Sequence, residues 1–191
     1  IGGKGKIGTP MTKALATAGA TVYVCSRSSS QEEISKTFDN NPKIQGRQLD
    51  QSDENQVNLL LDELNQLGHS PSILINCGVD RPMKKHIKDS WQNWDKSMIS
   101  NSRGLFVTCR AFARSMAEKG GGSIVNVASI YGIVAPDPQI YEGTDMFTEP
   151  DYPFHKGGMI MFTKYLSSLY AKSNVRVNCI APGGVFNNQP E

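Results

Sequence analysis

Apolar positions along this chain fall into two alternating patterns. Short continuous runs, several rich in β-branched residues, occur at "ATVYVCS" (20–26), "PSILINCG" (71–78), "GGGSIVNVAS" (120–129) and "VRVNCIAPGG" (175–184), and "KIQGRQLD" (43–50) reads as a weaker strand. Unbroken apolar runs of this length predict strands buried on both faces. Longer stretches between them carry apolar residues at helical spacing. The clearest is 52–68, where Val57, Leu60, Leu61, Leu64 and Leu67 share a face and Gly68 stops the run. Ser30 and Glu33 have the spacing of a capping box. Thr9-Pro10 opens a predicted helix. One long helix is predicted from about Ser90 to Glu118, with Trp91, Trp94, Met98, Leu105, Cys109, Phe112 and Met116 on its apolar side, and another from about Tyr152 to Lys172. Strand and helix in alternation predict an α/β fold, a doubly wound parallel sheet with helices on both faces. No repeat or shift of composition divides residues 1–191, which read as a single domain.

Composition narrows the function classes. Hydrophobic residues make up 38% and charged residues 20%, a balance that fits a globular protein. A net charge of +2, with no basic run interleaved with aromatics, argues against nucleic acid as a partner. No apolar run approaches the ~20 residues that span a bilayer, so no membrane partner is expected. The four cysteines stand far apart without a C-x-x-C, and nothing resembles a leader, which together predict reduced thiols and a cytoplasmic location. The three histidines lack ligand spacing, so no metal site is expected. The chain opens at Ile1 inside a glycine cluster and closes just beyond another, so both ends are expected to be cuts through a longer protein, leaving a sheet that lacks a strand and is marginally stable.

The opening "IGGKGKIGTP" supports two readings. It is an ordinary glycine turn into a helix, or it is a loop whose backbone approaches a ligand closely, with free N–H groups at the helix start to attract a pyrophosphate. Gly2, Lys4, Lys6, Ile7 and Gly8 are the candidate contacts. A nucleotide-binding loop of this kind pairs with the end of the second strand of a βαβ unit, where a carboxylate would accept ribose hydroxyls. Here Ser26-Arg27 stands at that position. An arginine there suits a 2′-phosphate and points to NADP, with NAD possible; the alternative is a solvated surface arginine.

In "DYPFHKGG", Tyr152 and Lys156 lie four apart and share a helix face. A phenol is a poor base at neutral pH, but a cation ~4 Å away contributes ~4 kcal/mol to its anion at an effective dielectric of ~20. The pair could therefore move a proton, or it could be an exposed accident of spacing. The order of motifs along the chain favours chemistry. "IGGKGKIG", "LD" at Leu49-Asp50, "INCG" (75–78), "NSRGLF" (101–106), "NVASIYG", "YPFHK" and "VNCIAPGGV" together resemble the short-chain dehydrogenase/reductase family. Ile1 and Lys6 depart from that family's loop pattern, Ile75 from its N-N-A-G, and Asn187 from the threonine that usually contacts the carboxamide. The gap from Ser129 to Tyr152 is longer than usual because of "PDPQIYEGTDMFTEP". These departures resemble a subgroup associated with bacterial surface-sugar and flagellin-glycan pathways.

The resemblance implies a Rossmann-like fold and an oxidoreductase that moves a hydride between NADP(H) and a small-molecule carbonyl or alcohol. It implies Tyr152 as general acid/base, Lys156 as its electrostatic partner and ribose ligand, Ser129 as hydrogen-bond donor to the reacting oxygen, and Asn101 as holder of a water. It implies cofactor contacts at Asp50 (adenine), Asn76, Gly78, Pro182, Gly183 and Val185. A homo-oligomer, dimer or tetramer, built on the two long helices follows in the same way. The competing readings are a non-catalytic dinucleotide-binding redox sensor and an inactive fragment.

Overall fold

The structure, a computed structural model, describes residues 1–186. All five strands form, each slightly shorter than its apolar run: β1 Val22–Ser26, β2 Ile44–Gln48, β3 Ile73–Asn76, β4 Gly122–Val127 and β5 Val175–Ile180. Every pairing is parallel. β1 pairs with β2, and β4 lies between β3 and β5. Helices α1 (Gly8–Thr17), α2 (Gln31–Thr37), α3 (Glu54–Gln66), α4 (Trp91–Ser97), α5 (Gly104–Glu118) and α6 (Asp151–Leu169) fill the connections. This is the Rossmann-like α/β architecture expected from the alternation of patterns.

Local chemistry accounts for the helix starts. Ser30 caps α2 by accepting the Glu33 N–H at 3.2 Å while Glu33 accepts the Ser30 N–H at 2.8 Å, the reciprocal capping box. The Asp53 carboxylate caps α3. On α3 the apolar face of Val57, Leu60, Leu61 and Leu64 is buried against β3, β4 and α5 in one core, while Val24, Ile34, Phe38 and Ile44 close a second core under α2.

The first two residues bridge the two groups of strands by backbone hydrogen bonds. Gly2 N–H donates to Cys25 O at 3.0 Å, Cys77 N–H donates to Ile1 O at 3.0 Å, and the Ile1 ammonium donates to Ile75 O at 2.8 Å. Ile1 and Gly2 thus sit between the carboxyl ends of β1 and β3. Behind them the facing edges of β1 and β3 are not paired with each other, and a cavity of about 260 Å³ separates them, walled by Leu15, Val24, Leu60, Leu64, Leu74 and Phe112.

The helix predicted from about Ser90 to Glu118 is not continuous. It runs as α4, then a π-helical turn over Met98–Arg103, then α5. On α5 the expected Leu105, Cys109, Phe112 and Met116 are buried, but α4 differs from the expected pattern. Trp91 is 69% exposed, while Ser97, Ser100 and Asn101 point inward. Among the described residues no helix is long and apolar enough to cross a membrane, no group of His, Cys, Asp or Glu is arranged to hold a metal, and the four cysteines are unbonded.

Candidate active site

The carboxyl ends of the strands converge on one face of the sheet, where open α/β folds bind ligands. The glycine loop enters there first. Gly2 has φ +70°, and a Cβ on it would lie 2.5 Å from Gly78 N, so only glycine lets this loop press against the turn after β3. The loop closes on itself through Gly5 N–H to Gly2 O and Thr9 N–H to Gly5 O. α1 then starts at Gly8 behind Ile7, and no side chain caps this end. Thr9 N–H is already taken by Gly5 O and Pro10 has none, so it is the positive end of the helix dipole, beside the exposed Lys4 and Lys6, that favours an anion here. Lys4 Nζ is tethered to Ser29 Oγ at 3.1 Å.

A cleft of about 170 Å³ continues from Gly2 past Ser26, Arg27, Asp50 and Gly78 to Ser100. Ser26 Oγ accepts the Ser29 N–H. Burial works against the Asp50 charge, but hydrogen bonds from the Ser52 hydroxyl and N–H, with help from Arg27 and Arg103, hold its carboxyl below the usual range. Arg27 reaches across the cleft mouth and pairs with Asp80 at 3.1 Å.

Asn76, a candidate cofactor contact, turns its side chain into the core. Asn76 Nδ2 donates to Asn126 Oδ1 at 2.8 Å and to Cys109 Sγ at 3.2 Å, and its Oδ1 accepts from Thr108. Asn126 passes the network on to Thr163. Once every polar atom in such a core network is bonded, turning one outward leaves partners unsatisfied. Asn101 is likewise held on all sides. Its Oδ1 accepts Asp80 N–H, and its Nδ2 donates to Asp80 O and to Ser97 Oγ. Its amide therefore clamps the β3–α4 loop.

The proton-moving candidates stand just after β4 and in the first turns of α6. Ser129 is buried at the end of β4, and its Oγ accepts Tyr131 N–H at 3.2 Å. The short turn Ile130–Gly132 packs directly on α6 because Gly132 carries no side chain; a Cβ there would come within 2.7 Å of Lys156 C and O. Ile130 N–H donates to Pro182 O, which draws the Pro182–Gly183 segment to the same place. Val185 follows, 43% exposed, while Asn187 lies outside the described residues. Lys156 is buried and its Nζ donates to Val127 O at 2.6 Å. Burial lowers its pKa to about 8, with Arg81 pushing the same way and Cys77 opposing. Lys156 Nζ lies 5.7 Å from the Tyr152 ring centroid.

Several site residues had no sequence signal. Arg81 Cζ lies 4.2 Å from the Tyr152 ring centroid. Asp151, the buried residue before Tyr152, accepts from Ser97 Oγ. Tyr131 and Tyr141 bond to each other at 2.6 Å, and Tyr141 bonds Thr148 at 2.9 Å. The Tyr141 bond, then burial, then the neighbouring phenols of Tyr141 and Tyr152 push the Tyr131 pKa up to about 12. The insertion between Ser129 and Tyr152 is thus tied to the serine's own turn.

Residues 1–188 match the family profile described as short chain dehydrogenase. The chain belongs to that family. It is 30% identical over 183 residues to a 3-oxoacyl-(acyl-carrier-protein) reductase of Aquifex aeolicus, covering 93% of this chain and 68% of the relative. It is 31% identical over 185 residues to galactitol 2-dehydrogenase of Rhizobium johnstonii, covering 95% and 68%. The solved structure of a short chain dehydrogenase from Leptospira borgpetersenii, crystallised with bound NAD+, superposes with a TM-score of 0.85 at 28% identity over 99% of this chain and 71% of that one.

Proposed function

We propose that residues 1–191 form a single dinucleotide-binding and catalytic domain of an NADP(H)-dependent oxidoreductase, acting on a carbonyl or alcohol of a small molecule such as a sugar derivative. The observation that carries the reading is the contact of Gly132 with Lys156, which seats the turn beginning at Ser129 against the helix that bears Tyr152.

When bound, the nicotinamide supplies or accepts the hydride. The residues of this chain do the rest. Tyr152 gives a proton to the substrate oxygen in reduction and takes one from the hydroxyl in oxidation. Ser129 Oγ donates to the same oxygen and steadies its developing charge. Lys156 holds positive charge behind the phenol and presents N–H donors to the ribose. The backbone around Asn101, fixed by its side-chain clamp, lines the water route to Tyr152. The uncapped start of α1 takes the pyrophosphate, Asp50 the adenine, and Arg27 with Lys4 a 2′-phosphate, once Arg27 exchanges Asp80 for the more highly charged group.

A second copy of the chain is the partner we propose for the outer faces of α5 and α6. Phe106, Met161, Tyr165 and Leu169 are about half exposed or more there, and Phe106 packs on Phe162 with ring centroids 6.1 Å apart.

Fluorescence titration with NADPH and NADH tests the cofactor reading. NADPH binds more tightly, and Arg27→Asp reverses the order. Equal affinities, unchanged by the substitution, would remove the assignment of Arg27. Turnover that survives Tyr152→Phe would remove Tyr152 as the proton donor.

A further inference from the structure

Arg81, like Lys156, is a cation beside the Tyr152 ring. No carboxylate among the described residues pairs with it. Its neighbour Asp80 is bonded to Arg27, and Asp151 is buried against Ser97. The guanidinium lies over the Tyr152 ring at 4.2 Å, and Lys156 lies 5.7 Å from the same ring. Two cations therefore flank the phenol with no acid between them. A guanidinium stacked on a ring keeps its rim of N–H donors in the plane, the geometry that takes a carboxylate by two parallel hydrogen bonds. Arg81 is itself exposed, so that rim meets solvent at the site entrance. Across the site, the bonded phenols of Tyr131 and Tyr141 offer partners for hydroxyl groups.

We propose that Arg81 is a specificity-determining residue that binds a carboxylate on the substrate, and that the substrate is a polyhydroxy acid, an acidic sugar rather than a neutral one. The proposal rests on the oxidoreductase reading and refines it. The carboxylate docks on the guanidinium rim while a neighbouring carbinol carbon presents its oxygen to Tyr152 and Ser129. Arg81 touches the part of the substrate that does not react, and so sets which molecules are held long enough to react.

The test uses the full-length protein with NADPH bound, so that an alcohol forms a complex that cannot turn over. D-galactonate and galactitol differ only by carboxylate against CH2OH, and their dissociation constants are read by saturation-transfer NMR. D-galactonate is expected to bind about tenfold tighter or more, the scale of one charge-assisted pair. Arg81→Gln erases the preference, and Arg81→Lys keeps part of it. An NADPH dissociation constant unchanged in Arg81→Gln shows that the fold and cofactor site are intact. Equal binding of the two polyols by the parent protein overturns the proposal, as does a preference that survives Arg81→Gln. Loss of NADPH affinity in that variant overturns it too, by placing Arg81 at the cofactor. Failure of the parent to bind NADPH at all would instead remove the oxidoreductase reading on which the proposal stands.

Discussion

Asn101 grips Asp80 at both ends of its residue: Oδ1 accepts the Asp80 N–H and Nδ2 donates to the Asp80 carbonyl, each at 2.8 Å. The amide donates also to Ser97 Oγ, and Ser97 to Asp151. One connected set of bonds thus runs from the residue before Tyr152, through the π-helical turn, to the loop that carries Arg81. From Asp80 it continues through the carboxylate to Arg27 at the far end of the cleft. Geometry at the reacting end and at the proposed phosphate end is therefore set by a shared loop.

Removing that grip gives the first prediction. Asn101→Ala leaves the buried Ser97 and the Asp80 backbone with unmet bonds, a loss of about 1–3 kcal/mol. Urea unfolding should show a lower midpoint with an unchanged slope, and kcat should fall more than the NADPH dissociation constant rises. Asn101→Asp should be no milder, because a carboxylate cannot donate to Asp80 O. A variant with parental stability and parental kcat would show that the clamp has no role.

Lys156 makes a prediction about pH. Its pKa falls from the ordinary 10.5 to about 8 in the folded chain because it is buried. Between these values the unfolded chain holds a proton that the folded chain has released, so stability from this group rises as pH climbs from about 8 to about 10.5. The contrast with Lys156→Met, measured by urea unfolding at pH 7 and pH 10, isolates it from other titrating groups. The parent should gain relative to the variant on going to high pH. Catalysis should move the other way, since the cation behind Tyr152 is lost above pH ~8. Parallel stability curves for parent and variant would mean that Lys156 keeps its ordinary pKa.

How much of this was legible in sequence depends on the range of the interaction. Strands were found because burial on both faces writes itself as local runs of Val and Ile. The α2 cap was found because its two partners are three residues apart. Tyr152 and Lys156 were found because one helix carries both. The π-helical turn left no local trace: Met98–Arg103 has ordinary helix formers, and the turn is held by Asn101 reaching Asp80 and Ser97 reaching Asp151. The inward turn of Asn76 was not legible because its motif lies at a strand end, while its facing is decided by Asn126, fifty residues away. Arg81 was invisible for the same reason; an exposed arginine acquires meaning only when the fold brings it over Tyr152.

Glu149 is the next test, at the end of the insertion. Both its carboxylate oxygens are buried, and the His86 N–H that faces them falls short of a well-formed hydrogen bond. Burial raises its pKa, the His86 N–H opposes, and Asp151 and Asp89 add to the rise. The folded chain therefore holds a proton that the unfolded chain has lost once pH exceeds the ordinary 4.5, and stability falls as pH rises through that range. Glu149→Gln keeps the shape and removes the charge. Its melting temperature should exceed the parent's at pH 7 and approach it near pH 4. A variant less stable than the parent at pH 7 would mean that the carboxylate has a partner the fold supplies.

The slot between β1 and β3 makes the strongest claim on stability. Two parallel edges face each other across about 260 Å³ lined by Leu60, Leu64, Leu74 and Phe112, and Ile1–Gly2 already bonds to both at one end. A strand lying there would satisfy edge N–H and C=O groups on both sides at ~1 kcal/mol each, and bury apolar side chains at ~1.5–3 kcal/mol each. Ordering its backbone costs ~1–2 kcal/mol per residue, which leaves a net gain for a segment rich in Val and Ile. Residues 1–191 preceded by five such residues should therefore unfold at a higher urea concentration than residues 1–191 alone, with a steeper slope from the larger surface exposed. The same extension with proline at alternate positions cannot bond both edges and should give no gain. Equal midpoints for all three chains would mean that the slot closes on itself in solution and that the sheet needs no strand there.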